Sequence, residues 1–229
     1  MTPPAIVARA AQVGLDVVAI TDHNTAGNVP AVQQAAAGSP LVVLAGMEVE
    51  SREGVHVLCL CDRQQSLQEL EREVWAHLPP GKNDPEYFGR QLLMDARGGV
   101  LAEWDRMLQM GTELTVSQVM RLAAELGALA IPSHVDRRAS GMLDVLGFLP
   151  VDIATPAVEI SGRLSPEQAY ARYPCLAGVP LLYGSDAHFL AEVGQQHNLL
   201  EMEGPTVAEL ALALRGVQGR RWLGRGQVA

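Results

Sequence analysis

Residues 15–23, Leu-Asp-Val-Val-Ala-Ile-Thr-Asp-His, form a β-branched apolar run that stops on a histidine. The pattern recurs along the chain. Residues 41–50 (LVVLAGMEVE) carry Glu48, 55–60 (VHVLCL) hold His56, 128–134 (ALAIPSH) end at His134, and 181–188 (LLYGSDAH) carry Asp186 and end at His188. β-Branched runs favour strands, and strand ends scattered along a chain meet only when the strands lie side by side. The pattern therefore predicts an α/β barrel whose active face gathers these side chains. Imidazole and carboxylate are ligands expected for zinc, manganese or iron, and a carboxylate can bridge two ions. Asp22 and His23 alone would read as a loop cap and a satisfied histidine. Four histidines on β-like segments, with Glu48 and Asp186, point to a metal site.

Composition sets the outer bounds. At 229 residues and 48% hydrophobic content the chain can bury a substantial core as one domain. It has no apolar run long enough to span a bilayer and no basic-then-apolar opening, so the expectation is a cytoplasmic protein without a membrane span. A net charge of −9 argues against an extended nucleic-acid surface. It leaves room for a nucleotide in a metal-lined pocket, because divalent ions reverse the local sign. Cys59 and Cys61 would share one strand face, and buried thiols are the favoured reading over chelation.

Punctuation by Pro and Gly predicts a first helix from Thr2-Pro3-Pro4 to Gly14, a strand to Ile20, a short helix over 30–37 and a strand over 41–50. This alternation favours mainly parallel pairing, with Gly54 allowing a local hairpin. Residues 62–111 read as a helical insertion at the barrel mouth: a stripe of Leu67, Leu70, Val74 and Leu78, a Pro-rich polar loop, then more helix. Thr115 and Gln118 have capping-box spacing ahead of a stripe of Val119, Leu122, Ala123 and Leu126. Strands are expected at 128–131, 157–160 and 181–183, and a last amphipathic helix at 206–215.

Taken in order, LDVVAITDHNT, GMEVES with VHVLCL, IPSHVDR and GSDAH resemble the signature segments of the PHP (polymerase and histidinol phosphatase) superfamily, and more narrowly its stand-alone metal-dependent phosphoesterases. The resemblance runs to about Gly194. It implies a distorted seven-stranded, TIM-like (β/α)7 barrel over residues 1–229 and a cluster of up to three divalent ions (manganese, zinc or iron). Carried across by motif, Glu48 would bridge two ions, His56 and His134 would complete the second, His23 and His188 would hold the third, and Asp186 the first. Asp22 would orient a ligand or water, or else cap its loop, and with His23 and His188 it makes up the catalytic set. His77 and His197 read as solvated. Arg137 and Arg163 are candidate phosphate clamps, with solvated surface charge as the alternative, which is preferred for Arg138.

The family opens on a strand bearing H-x-H, whereas this sequence opens at MTPPAIVARA with no histidine before His23. The expectation is a missing first strand, through a mis-assigned start, a truncation or natural degeneration, with the mis-assigned start preferred and activity impaired. The implied reaction is hydrolysis of a phosphate mono- or diester by a metal-bridging hydroxide, on a small phosphorylated substrate, a nucleotide or an oligonucleotide end. Two alternatives stay open: hydrolysis of a C–N bond, and a noncatalytic regulatory protein with a partial metal site. Oligomeric state is not readable.

Overall fold

The computed structural model describes residues 1–150 and 155–226. Along them run α1 (Pro3–Gln12), β1 (Val17–Ile20), α2 (Val29–Ala35), β2 (Val42–Glu50), β3 (His56–Cys61), α3 (Gln64–Ala76), β4 (Leu92–Met94), β5 (Val100–Glu103), α4 (Val116–Glu125), β6 (Leu129–Pro132), α5 (Met142–Val145), β7 (Val158–Glu159), α6 (Pro166–Arg172), β8 (Leu181–Leu182), β9 (Asn198–Glu201), α7 (Val207–Arg215) and β10 (Arg221–Arg225). The architecture is α/β. The anticipated closed barrel is not seen among the described residues: the strands form a four-stranded sheet in the order β1-β2-β3-β6 and three two-stranded sheets, β7-β8, β4-β5 and β9-β10.

Parallel pairing holds for β1 with β2 and for β7 with β8, but β3 runs antiparallel to both β2 and β6. The expectation of mainly parallel pairing is therefore corrected. The cause is the short link after Glu50, where Gly54 takes φ 78° and Gly54 N–H donates to the Ser51 carbonyl, a reversal too short for a parallel crossover. It has a useful geometric result. β2 ends, and β3 begins, at the same edge of the sheet, so His56 at a strand start joins Glu48 near a strand end.

Side-chain alternation gives the sheet two buried faces. Val43, Met47, Val49, Val57, Cys59 and Cys61 belong to a core with α1, α2, α3 and α4 residues, while Leu60, Leu129, Ile131 and Leu182 pack with Val207, Leu210 and Leu214 of α7. Both strand cysteines are free and buried, and burial pushes both thiols up, Cys61 to about 11.

The capping-box signal at Thr115 translates directly, and α7 has a cap that the sequence reading did not name. Thr115 and Gln118 close both arms of a capping box on α4, and the Thr206 hydroxyl accepts Glu209 N–H at the start of α7. The insertion reads differently from expectation. It is helical only through α3, and residues 92–103 form the β4-β5 hairpin rather than a helix. Its turn is set by Asp95, whose carboxylate accepts the N–H groups of Arg97 and Gly99, each at 2.8 Å, with Gly98 at φ 85°.

Candidate metal centre

The turn after β1 carries Asp22 and His23, and a bridge between His23 and Glu48 extends the β1-β2 pairing past Ile20. Glu48 N–H donates to the Asp22 carbonyl at 3.1 Å and Asn24 N–H to the Glu48 carbonyl at 2.8 Å. Asn24, at φ 49°, locks this turn to its surroundings. Its amide donates to the carbonyls of Leu108 and Met110 at 2.8 and 2.9 Å, its Oδ1 accepts Glu50 N–H, and Trp75 Nε1 donates to its carbonyl. Asn28 joins the Asp22 carboxylate, at 2.9 Å, to Leu92 and Met94 of the hairpin. The insertion is thus fastened to the turn that presents His23.

Glu48 is buried, and three imidazoles surround it. Its Oε2 stands 3.4 Å from His23 Nδ1 and 3.2 Å from His56 Nδ1, and its Oε1 stands 3.7 Å from His134 Nε2. Donor atoms of His23, Glu48 and His56 all lie within 4.8 Å of one another. His188 completes the outer side, its ring centroid 6.2 Å from that of His23 and its Nδ1 2.9 Å from the Asp186 carbonyl. Asp186 is paired with Arg137, Nη2 to Oδ2 at 2.5 Å. The five described strand-end segments therefore deliver His23, Glu48, His56, His134, Asp186 and His188 to one place. Arg163 is exposed beyond β7 and makes no ion pair with them. His77 and His197 turn to the carbonyls of Glu73 and Gly194.

The polar atoms here are under-satisfied. His23 Nδ1, His56 Nδ1 and both ring nitrogens of His134 are buried without a hydrogen-bond partner, although each of the three rings has a nitrogen within ion-pair range of Glu48. Buried polar atoms normally find partners, so a cluster of orphaned imidazole nitrogens around one carboxylate fits a divalent cation as the missing partner. Burial alone would raise the Glu48 carboxyl, but the adjoining His56 ring, with His23 and His134 beyond it, holds it at about 2. Burial lowers His134 to about 4, which keeps its ring neutral and its lone pair available. For His56 the pull of Glu48 outweighs burial and the shift is upward. Burial, opposed by the Asn28 hydrogen bond, raises Asp22.

Two acids in this region were not among the site residues read from the sequence, Glu50, whose Oε2 stands 3.9 Å from His56 Nε2, and Glu159. Glu159, 8% exposed on β7, accepts the His134 backbone N–H at 3.2 Å, and burial, followed by the charges of Glu48 and Asp186, raises it to about 8. The available signal was an acid inside the apolar run 157–160, the same signal that picked out Glu48.

Residues 1–135 match the PHP domain family, and residues 173–217 match the family described as PHP-associated. No curated protein matches the chain. Among solved structures, the lesion-specific endonuclease Q of Pyrococcus furiosus superposes with a TM-score of 0.69 at 20% identity, over 99% of this chain and 54% of that one. The chain thus spans about half the length of that protein. A Bifidobacterium adolescentis protein described as a metal-dependent phosphoesterase gives 0.58 at 16% identity, covering 93% and 91% of the two chains. An amidohydrolase of Chromobacterium violaceum gives 0.52 at 18%, covering 82% of each. At such identities these likenesses describe the fold. No helix among the described residues is long and apolar enough to cross a membrane.

Proposed function

Because the chain belongs to the PHP domain family, we propose that it is a metal-dependent phosphoesterase acting at the cluster around Glu48. The observation that carries this reading is the set of orphaned, buried imidazole nitrogens facing the two oxygens of that carboxylate. Glu48 would bridge two divalent ions, with His56 and His134 on one of them, His23 and His188 on a further ion, and Asp186 on another. Manganese, zinc and iron all suit these donors. When bound, such ions lower the pKa of a coordinated water and offset charge on phosphoryl oxygens. Asp22, held by Asn28, orients the His23 turn. Arg137 provides a guanidinium that can take two phosphate oxygens in a bidentate grip, and Arg163 stands farther out as a second clamp.

The same reading includes a distorted barrel of the PHP type forming a single domain, in a cytoplasmic protein; its support is the family match. The substrate class is a small phosphorylated molecule, a nucleotide or an oligonucleotide end. Support for the last comes from endonuclease Q, whose structure is known with duplex DNA carrying an abasic lesion at the active site.

Two further readings each rest on an observation. The amidohydrolase likeness keeps C–N hydrolysis in view, and the Arg137–Asp186 pair, which engages a proposed ligand, favours a partial, noncatalytic metal site. The deciding experiment offers the protein a phosphomonoester, a phosphodiester, an oligonucleotide and an N-acyl amino acid, with manganese and with chelator. Chelator-sensitive hydrolysis of a phosphate ester is expected. Turnover of the amide alone supports the second reading, and stoichiometric metal binding without turnover of any substrate supports the third.

A further inference from the structure

Glu159 stands behind the histidine cluster and has no place in the ligand set above. Its main-chain carbonyl accepts Val135 N–H at 2.8 Å and its carboxyl accepts His134 N–H at 3.2 Å, so one residue of β7 holds two successive amides at the exit of β6. His134 sits there at φ 29°, a left-handed conformation uncommon for a residue with a Cβ and costly without support from its surroundings. On its other side the carboxyl rests on bare backbone. A Cβ on Gly184 would lie 2.1 Å from Glu159 Oε2, a distance no side chain tolerates. Gly184 follows β8 and precedes Asp186, which itself takes φ 45°. A single buried acid therefore touches the exits of both strands that deliver His134 and Asp186. An apolar side chain would fill the same volume without the cost of desolvating a carboxyl, so what the acid adds at this position is its hydrogen bond to His134.

We propose that Glu159 is a positioning residue of the metal centre: its carboxyl fixes the strained backbone of His134 so that the ring stays turned to Glu48, and position 184 is glycine because that carboxyl fills the space of a side chain. This rests on the Glu48 cluster being a metal centre. The test is calorimetric titration of manganese into the metal-free full chain, with circular dichroism to confirm folding. Glu159→Ala should weaken binding roughly 10- to 100-fold, the range found when groups supporting a metal ligand are removed. Glu159→Gln, whose amide oxygen still accepts the N–H, should recover most of the affinity, and Gly184→Ala should reproduce the loss by displacing the carboxyl. Folded Glu159→Ala with wild-type affinity overturns the proposal. So does Glu159→Gln binding as weakly as Gly184→Ala, a comparison that stands even where the alanine variant fails to fold. In either case wild-type binding leaves the metal centre intact, whereas a wild-type protein that takes up no manganese overturns both.

Discussion

Glu48 offers one oxygen to His23 and His56 and the other to His134. In the arrangement proposed above Glu48 bridges two ions, while His23 serves one. Glu48→Ala should therefore lose more bound metal after dialysis than His23→Ala, as read by elemental analysis; equal retention in the two variants removes the bridging role. The residues of this cluster were legible in the sequence because each lies in or at the end of an apolar run. Glu159 carried the same signal but was passed over, because its sequence neighbours gave no second acid or histidine to pair with it. Nor could the sequence show that Arg137, read as a phosphate clamp, is paired with Asp186 at 2.5 Å; that depends on how the exits of β6 and β8 meet.

The β2-β3 hairpin is the element that makes the site, because it turns the start of β3 back to the end of β2. Gly46 allows the close pairing: a Cβ there would meet the Cys59 carbonyl at 2.8 Å and Leu60 Cδ2 at 2.7 Å. Gly46→Ala should cost about 1–3 kcal/mol, the usual range for forcing extra volume into a packed core, with a lowered denaturation midpoint and reduced metal uptake together. An unchanged midpoint would show that the sheet gives way freely. Strong local signals carried the reading of elements: Pro3 and Pro4 for α1, the Thr115–Gln118 box for α4, the amphipathic pattern of 206–215 for α7. The β4-β5 hairpin was missed because β5 is wholly exposed and shows no alternation, so its only signal was the Asp95–Gly99 turn chemistry. The antiparallel β9-β10 pair was missed for a related reason, its exposed Leu199 and Leu223 blurring the contrast between faces.

For the whole molecule, a site crowded with ionisable groups ties stability to pH. In the metal-free protein Glu159 titrates near 8 instead of 4.5, so the folded state keeps a proton that the unfolded state has lost. The stability this group contributes is fully present below about 4.5 and is lost as pH rises through 8, a change on the order of a few kcal/mol. Melting temperatures of the metal-free protein should fall over that window, and Glu159→Gln should flatten the slope; an equally steep slope in the variant assigns it elsewhere. The α/β class and the convergence of the strand ends were readable because strand ends can meet in few ways. The hairpin at Gly54 was readable from its turn glycine, whereas the antiparallel pairing of β3 with β6 and the state of barrel closure were not, since they depend on how distant strands meet. The central claim is that the imidazoles around Glu48 hold divalent ions. Anomalous diffraction from manganese-loaded crystals tests it most directly. Manganese peaks within direct ligand range of both oxygens of Glu48 and of the nitrogens of His56 and His134 are expected; a fully loaded crystal with no peak against Glu48 would contradict the claim.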